Sequence, residues 1–197
     1  MAQKAKSRGI DGIVILDHQY HATEQDVEAC REVSGVTVFR GMELSIKNDQ
    51  REKEDIIIVS SHTPAFDYSK GLHVSKLDKL KEYVDRTMAL TILAHPYRRR
   101  DHLVFDPGKE FRPDCVEIAS THIKKQNRPK IYQLAKQHGM HMVSVSDAHK
   151  TKHIGEYCID LMNDVKTEDE LIGAVRSYEY ILLEKRLAPV DFGGKLI

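Results

Sequence analysis

The chain has 197 residues, 41% of them hydrophobic, with 30 basic and 30 acidic side chains. That length suits one well-buried core, taken as a single domain over 1–197, and a formal charge of zero gives no global field drawing it to nucleic acid or an anionic membrane. Apolar runs of about six residues fall far short of the roughly 20 that a spanning helix requires, and no signal-peptide segment opens the sequence, so it reads as soluble and cytoplasmic.

Residues 2–8 are expected to form a short helix stopped by Gly9, followed at once by a strand over 12–16. Thr23 can cap a helix to about Val33; strands follow over 36–40 and 55–60, with the charged run 48–54 between them as a solvated turn. Ser75 caps a helix with Leu77, Leu80, Val84 and Met88 on one face, before strands over 91–94 and 114–119. Asn127 caps a helix ending at Gly139, the strand 140–146 follows, and Thr167 with Glu170 makes a capping box for a helix to Ser177 ahead of a strand over 180–183. Alternating strands and helices with apolar strands predict a parallel sheet covered by helices. Cys30, Cys115 and Cys158 are odd in number and form no C-x-x-C pair, which disfavours a disulfide framework and a thiolate zinc site alike.

Chemistry gathers where the strands stop. Asp17-His18 closes the first apolar run, Gly41-Met42-Glu43 the second, Ala94-His95-Pro96 a later one, and Asp147-Ala148-His149 the run ending at Ser146. Zinc, manganese and iron accept imidazole nitrogen and carboxylate oxygen, and a carboxylate can bridge two ions. Such groups converging on one rim would make a multi-metal hydrolase site.

At these residues the chain resembles the PHP family, named for the polymerase and histidinol phosphatase domains. The matching stretches are Gly9 to His18, Gly41-Met42-Glu43-Leu44-Ser45, Leu93-Ala94-His95-Pro96-Tyr97-Arg98 and Ser146-Asp147-Ala148-His149, within a likeness over about 2–155. The resemblance implies an α/β fold, a distorted (β/α)7 barrel, with up to three metal ions performing phosphoester hydrolysis. Carried over, Glu43 looks like a bridging carboxylate, His95 a ligand of one ion, His18 and His149 ligands of another, and Asp147 of a third. A further ligand is expected after the strand 115–119, with His122 the better candidate, completing a site with Glu43 and His95, and Glu117 the other.

The family pattern also opens with a strand bearing His-x-His and a further ligand, whereas this sequence starts at the helix after them. The resemblance then implies an incomplete barrel open at its first strand and one to two ions of zinc, manganese or iron. His21 is a candidate substitute ligand. The expected free edge along 12–16 would be covered by the tail 189–197, an upstream segment, or another copy in a homo-oligomer.

Arg98, following the His95 stretch, is placed to grip a substrate phosphate, with Arg99 and Arg100 weaker candidates. His62 and His73 are candidate pocket residues; His102, His138, His141 and His153 carry no argument. The expected function is a metal-dependent phosphoesterase acting on a small phosphorylated substrate, with Asp147 or His149 handling the proton. The alternative is a scaffold that binds metal or phosphorylated ligand and hydrolyses poorly. A nucleic-acid module finds little support, since no Lys/Arg track is interleaved with aromatics.

Overall fold

The computed structural model describes residues 1–18, 20–64 and 77–184. Ser75, His73 and the tail 189–197 lie outside them. The elements are α1 (Ala2–Ser7), β1 (Gly12–Ile15), α2 (Glu24–Ser34), β2 (Thr37–Lys47), β3 (Lys53–Val59), α3 (Leu77–Thr87), β4 (Leu90–Leu93), β5 (Cys115–Ala119), α4 (Arg128–His138), β6 (His141–Ser144), β7 (Tyr157–Leu161), α5 (Glu168–Arg176) and β8 (Tyr180–Glu184).

Local chemistry sets most boundaries. Thr23 and Thr167 each close a capping box, with Asp26 and Glu170, so both ends of the exchange satisfy donors that the first helical turn leaves unpaired. Gly35 and Gly139 end α2 and α4 in the left-handed conformation, which glycine enters without a Cβ clash. Asn127 departs from expectation. It makes no side-chain cap on α4, and its Nδ2 instead donates to the Tyr97 carbonyl at 3.0 Å, tying the start of α4 to the loop after β4.

Six strands pair in the order β1-β2-β3-β4-β5-β6 as a curled half-barrel. The expectation of an all-parallel sheet is corrected at β3, which runs antiparallel to both β2 and β4 while the remaining pairings are parallel. The cause is the short connection between Lys47 and Lys53. Asn48 and Glu52 close it with a backbone hydrogen bond of 3.1 Å, whereas parallel neighbours need a crossover of about a dozen residues or more. β2 also extends well past residue 40, so Glu43 lies within a strand rather than beyond its end. Among the described residues β1 has β2 as its only neighbour in the sheet and forms the expected edge.

Strand alternation divides the sheet into two faces. On one, Met42, Leu44, Ile56, Ile58, Leu93 and Val116 pack against Leu80 and Tyr83 of α3 and Ile131 and Leu134 of α4. On the other, Phe39, Ile57, Ile92, Cys115 and Val143 pack against Leu171, Ile172, Ala174 and Val175 of α5. α5 is tied down near both ends. Glu168 accepts from the Arg40 backbone N–H at 2.9 Å, and Arg176 donates to Asp114 and to the Met88 and Ala89 carbonyls at the start of β4. The unforeseen strand β7 pairs antiparallel with β8, across the intervening α5, as a separate two-stranded sheet held to the larger one by Ser144 Oγ donating to the Leu183 carbonyl and Ser146 Oγ to that of Tyr157. Among the described residues no disulfide joins the three cysteines, and no helix is long and apolar enough to cross a membrane.

Candidate metal centre

The face that carries α5 changes character along its strands. In β2 the alternation that buries Phe39 next brings up Gly41, Glu43 and Ser45; in β3 it runs back from Ile57 to Asp55; in β5 it passes from Cys115 to Glu117. An apolar half is thus continuous with an acidic one. Gly41 is required by a close approach, because a Cβ there would stand 2.7 Å from Leu16 and 2.8 Å from the Ile58 carbonyl oxygen. That approach lets the chain after β1 reach β2: Glu43 N–H donates to the Asp17 carbonyl at 3.0 Å, and His18 bridges to Glu43.

Two groups of ligand-type side chains result. In the first, Glu43, Asp55 and His95 are all buried and bring one donor atom each to within 4.8 Å of the others. His95 Nε2 is 3.1 Å from Glu43 Oε1 and 3.8 Å from Asp55 Oδ2, and Ser45 Oγ donates to the far oxygen of Asp55 at 2.5 Å. The second Glu43 oxygen lies 3.9 Å from His18 Nδ1, so this carboxylate faces one imidazole with each oxygen, as a bridging ligand would. In the second group Asp147 sits between His122, which contacts its Oδ2 through Nδ1, and His149, 3.5 Å from its Oδ1. Thr121 Oγ1 joins the two loops by donating to the Ser146 and Asp147 carbonyls at 3.0 and 3.2 Å.

The grouping differs from the sequence expectation. His122 stands with Asp147 and His149 rather than with Glu43 and His95, because its loop follows β5 and lies against the loop after β6. His18 and His149 do not share a group among the described residues. Asp55 is an addition that the sequence reading missed; it faces the site because the hairpin pairs it opposite Ser45, two residues beyond Glu43. His21 belongs to neither group: its Nε2–H donates to the Ser60 carbonyl at 3.1 Å, and burial holds its pKa down. His62 is exposed, and His102 pairs with Glu52. Arg98 lines a cavity with Asp55, His95 and Tyr97 and has no ion-pair partner among the described residues, whereas Arg100 is committed to the Lys53 carbonyl at 2.7 Å and to Glu52 and Glu54.

The electrostatics fit a divalent cation. Glu43, Asp55, Glu117 and Asp147 have no Lys or Arg partner among the described residues, although three of the four are buried. Burial pushes the Glu117 carboxyl up to about 7 against the pull of nearby His95. Burial opposes protonation of His95, yet the Glu43 hydrogen bond and the Glu117, Glu43 and Asp147 charges outweigh it and raise that imidazole to about 9. A protonated His95 offsets one of these carboxylates, and the remaining buried acidic charge is unfavourable unless a cation such as a metal ion were to balance it. His95 and Asp147 also hold positive φ, 27° and 46°, a conformation that L residues tolerate mainly where surrounding structure enforces it.

Residues 125–179, which include α4 and α5, match the family model described as PHP-associated. Three solved structures share the fold. A Bifidobacterium adolescentis protein classed as a metal-dependent phosphoesterase is 12% identical with a TM-score of 0.58, covering 88% of both chains. PsfC from Pseudomonas syringae is 16% identical with a TM-score of 0.60, over 93% of this chain and 81% of its own. An amidohydrolase from Chromobacterium violaceum, with bound sulfate and no metal, is 14% identical with a TM-score of 0.56, over 74% and 80%. No curated protein matches the sequence.

Proposed function

We propose that this chain, which the segment match and the shared fold support as a PHP-family domain, is a metal-dependent phosphoesterase. The observation that carries the reading is the buried Glu43–Asp55–His95 group, whose acidic excess no Lys or Arg offsets among the described residues. Glu43, Asp55 and His95 would hold one ion, with His18 beside the second oxygen of Glu43; His122, Asp147 and His149 would hold another. Zinc, manganese or iron bound there supplies Lewis acidity and neutralises charge on a phosphoryl oxygen. The protein's own part is to place the ester. Arg98 offers a planar guanidinium, without an ion-pair partner among the described residues, beside the Asp55 and His95 wall, suited to two phosphate oxygens at once. Asp147 or His149 would hold the proton that the leaving oxygen takes.

Elemental analysis after dialysis should find one to two equivalents of transition metal, and the loaded protein should hydrolyse a chromogenic phosphomonoester or diester. Glu43→Ala should lose the most metal. Replacing partners that merely orient ligands costs about 10–100-fold in affinity, so removing a bridging ligand should cost at least roughly 100-fold. A protein that takes up no metal, and whose melting temperature ignores added zinc and manganese, refutes the reading. Among the described residues His18 has Glu43 as its one ion-pair partner, which favours a second reading: a scaffold that binds metal or phosphorylated ligand with little turnover. Stoichiometric metal without hydrolysis would select it.

A further inference from the structure

We propose that Glu117 is a positioning residue: it accepts the peptide N–H of His95 and so holds that imidazole against Glu43, without itself ligating metal. The role rests on the metal reading above.

The need for such a residue arises where β4 ends. Ala94 makes the last ladder bond, its N–H donating to the Asp55 carbonyl at 3.0 Å. One residue on, the chain leaves the sheet while still buried, and the His95 N–H would be an orphan donor. The turn there is disfavoured twice over, by a φ of 27° on a non-glycine residue and by the proline that follows, which restricts the residue before it to extended conformations. Such a conformation needs an anchor. Glu117 Oε2 supplies one at 2.8 Å.

β5 is adapted to deliver that oxygen. Glu117 pairs with Val143 and Ala119 with Ser144, so the register slips around Ile118, the signature of a bulge that bends a strand and re-aims its side chains. The carboxyl thus stands beneath the His95 peptide on the same face as the metal group. Yet it is not part of that group, since the atoms that converge with His95 are those of Glu43 and Asp55.

Cobalt(II) titration of the full chain separates the possibilities, because its visible bands report the ligands around the ion. Glu117→Gln keeps an acceptor oxygen and should retain the wild-type bands. Glu117→Met fills similar space without one; cobalt affinity should fall about 10–100-fold, with bands resembling those of His95→Ala. Loss of cobalt by Glu117→Gln as complete as by Glu43→Ala would make Glu117 a ligand and overturn the proposal. Wild-type bands in Glu117→Met would reduce it to packing and also overturn it. Should Glu117→Met fail to fold, the metal-free Glu117→Gln protein decides: the His95 amide proton should move upfield, as its charged acceptor becomes neutral, yet stay protected from solvent exchange. Rapid exchange there refutes the proposal. A wild type that takes up no cobalt refutes the metal reading, and the positioning role with it.

Discussion

The two halves of the sheet face that carries α5 are built on the same strands and do opposite work. Two residues along β2, β3 or β5 convert Phe39 into Gly41 and then Glu43, Ile57 into Asp55, and Cys115 into Glu117. The lower half buries apolar side chains against α5, a net gain of roughly 25 cal/mol per Å² removed from water. The upper half buries carboxylates whose desolvation works against folding. The fold therefore draws its stability from the α5 half and bears the acidic half, which makes sense when a cation completes it. The segment matching the PHP-associated model contains α5, the element that fills the lower half.

The widest expected gap between the halves comes from Leu171→Ala. A buried leucine truncated to alanine costs about 2–5 kcal/mol, so the melting temperature should drop by roughly 5–15 °C. Metal bound per folded molecule should not change. Denaturation melts combined with elemental analysis check both, and loss of metal at unchanged stability would break the division of labour.

Arg98→Ala probes the other half. If the guanidinium binds substrate phosphate, KM should rise while metal content stays constant, a loss of about 1.5–3 kcal/mol for a charge-assisted contact. Arg100→Ala is the contrast, since its guanidinium already serves β3 through Lys53, Glu52 and Glu54. Equal, small effects at the two positions would leave Arg98 an ordinary loop residue.

How much of this contrast could be read from sequence differs by level. Capping boxes such as Thr167–Glu170 are local chemistry and were legible, as were the strands other than β7, because apolar runs of four to seven residues bounded by polar ones have few other uses. The direction of β3 is not a property of its own residues. It follows from the length of the 48–52 connection, which reads equally well as a solvated turn. Asp55 was missed as a ligand for the same reason: the sequence marks it only as the first residue of the strand 55–60, and the hairpin register is what sets it opposite Ser45. His18, Glu43, His95, His122, Asp147 and His149 stand out in the sequence as strand-end groups, although Glu43 lies within β2. Which of them meet was not legible, since that depends on which loops lie together, as Thr121 shows by bonding the chain after β6. The positive φ at His95 and Asp147 likewise leaves no mark in composition.

The smallest effect concerns the clamp at the start of α5. Burial by itself would raise the Glu168 pKa, but its hydrogen bonds to the Arg40 side chain and backbone prevail and hold it below the usual value of 4.5. A carboxyl depressed in the folded state stabilises that state above its unfolded pKa, and the contribution is lost as pH falls through the folded value. Glu168→Gln keeps the shape and an acceptor but not the charge. It should be less stable than wild type at pH 7 by about 1 kcal/mol, the difference between a charged and a neutral hydrogen bond. As pH falls below 4.5 the wild type loses its advantage and the two melting curves converge. A gap that stays constant from pH 7 to strong acid would show that α5 is held by packing and by Arg176, not by the charge at Glu168.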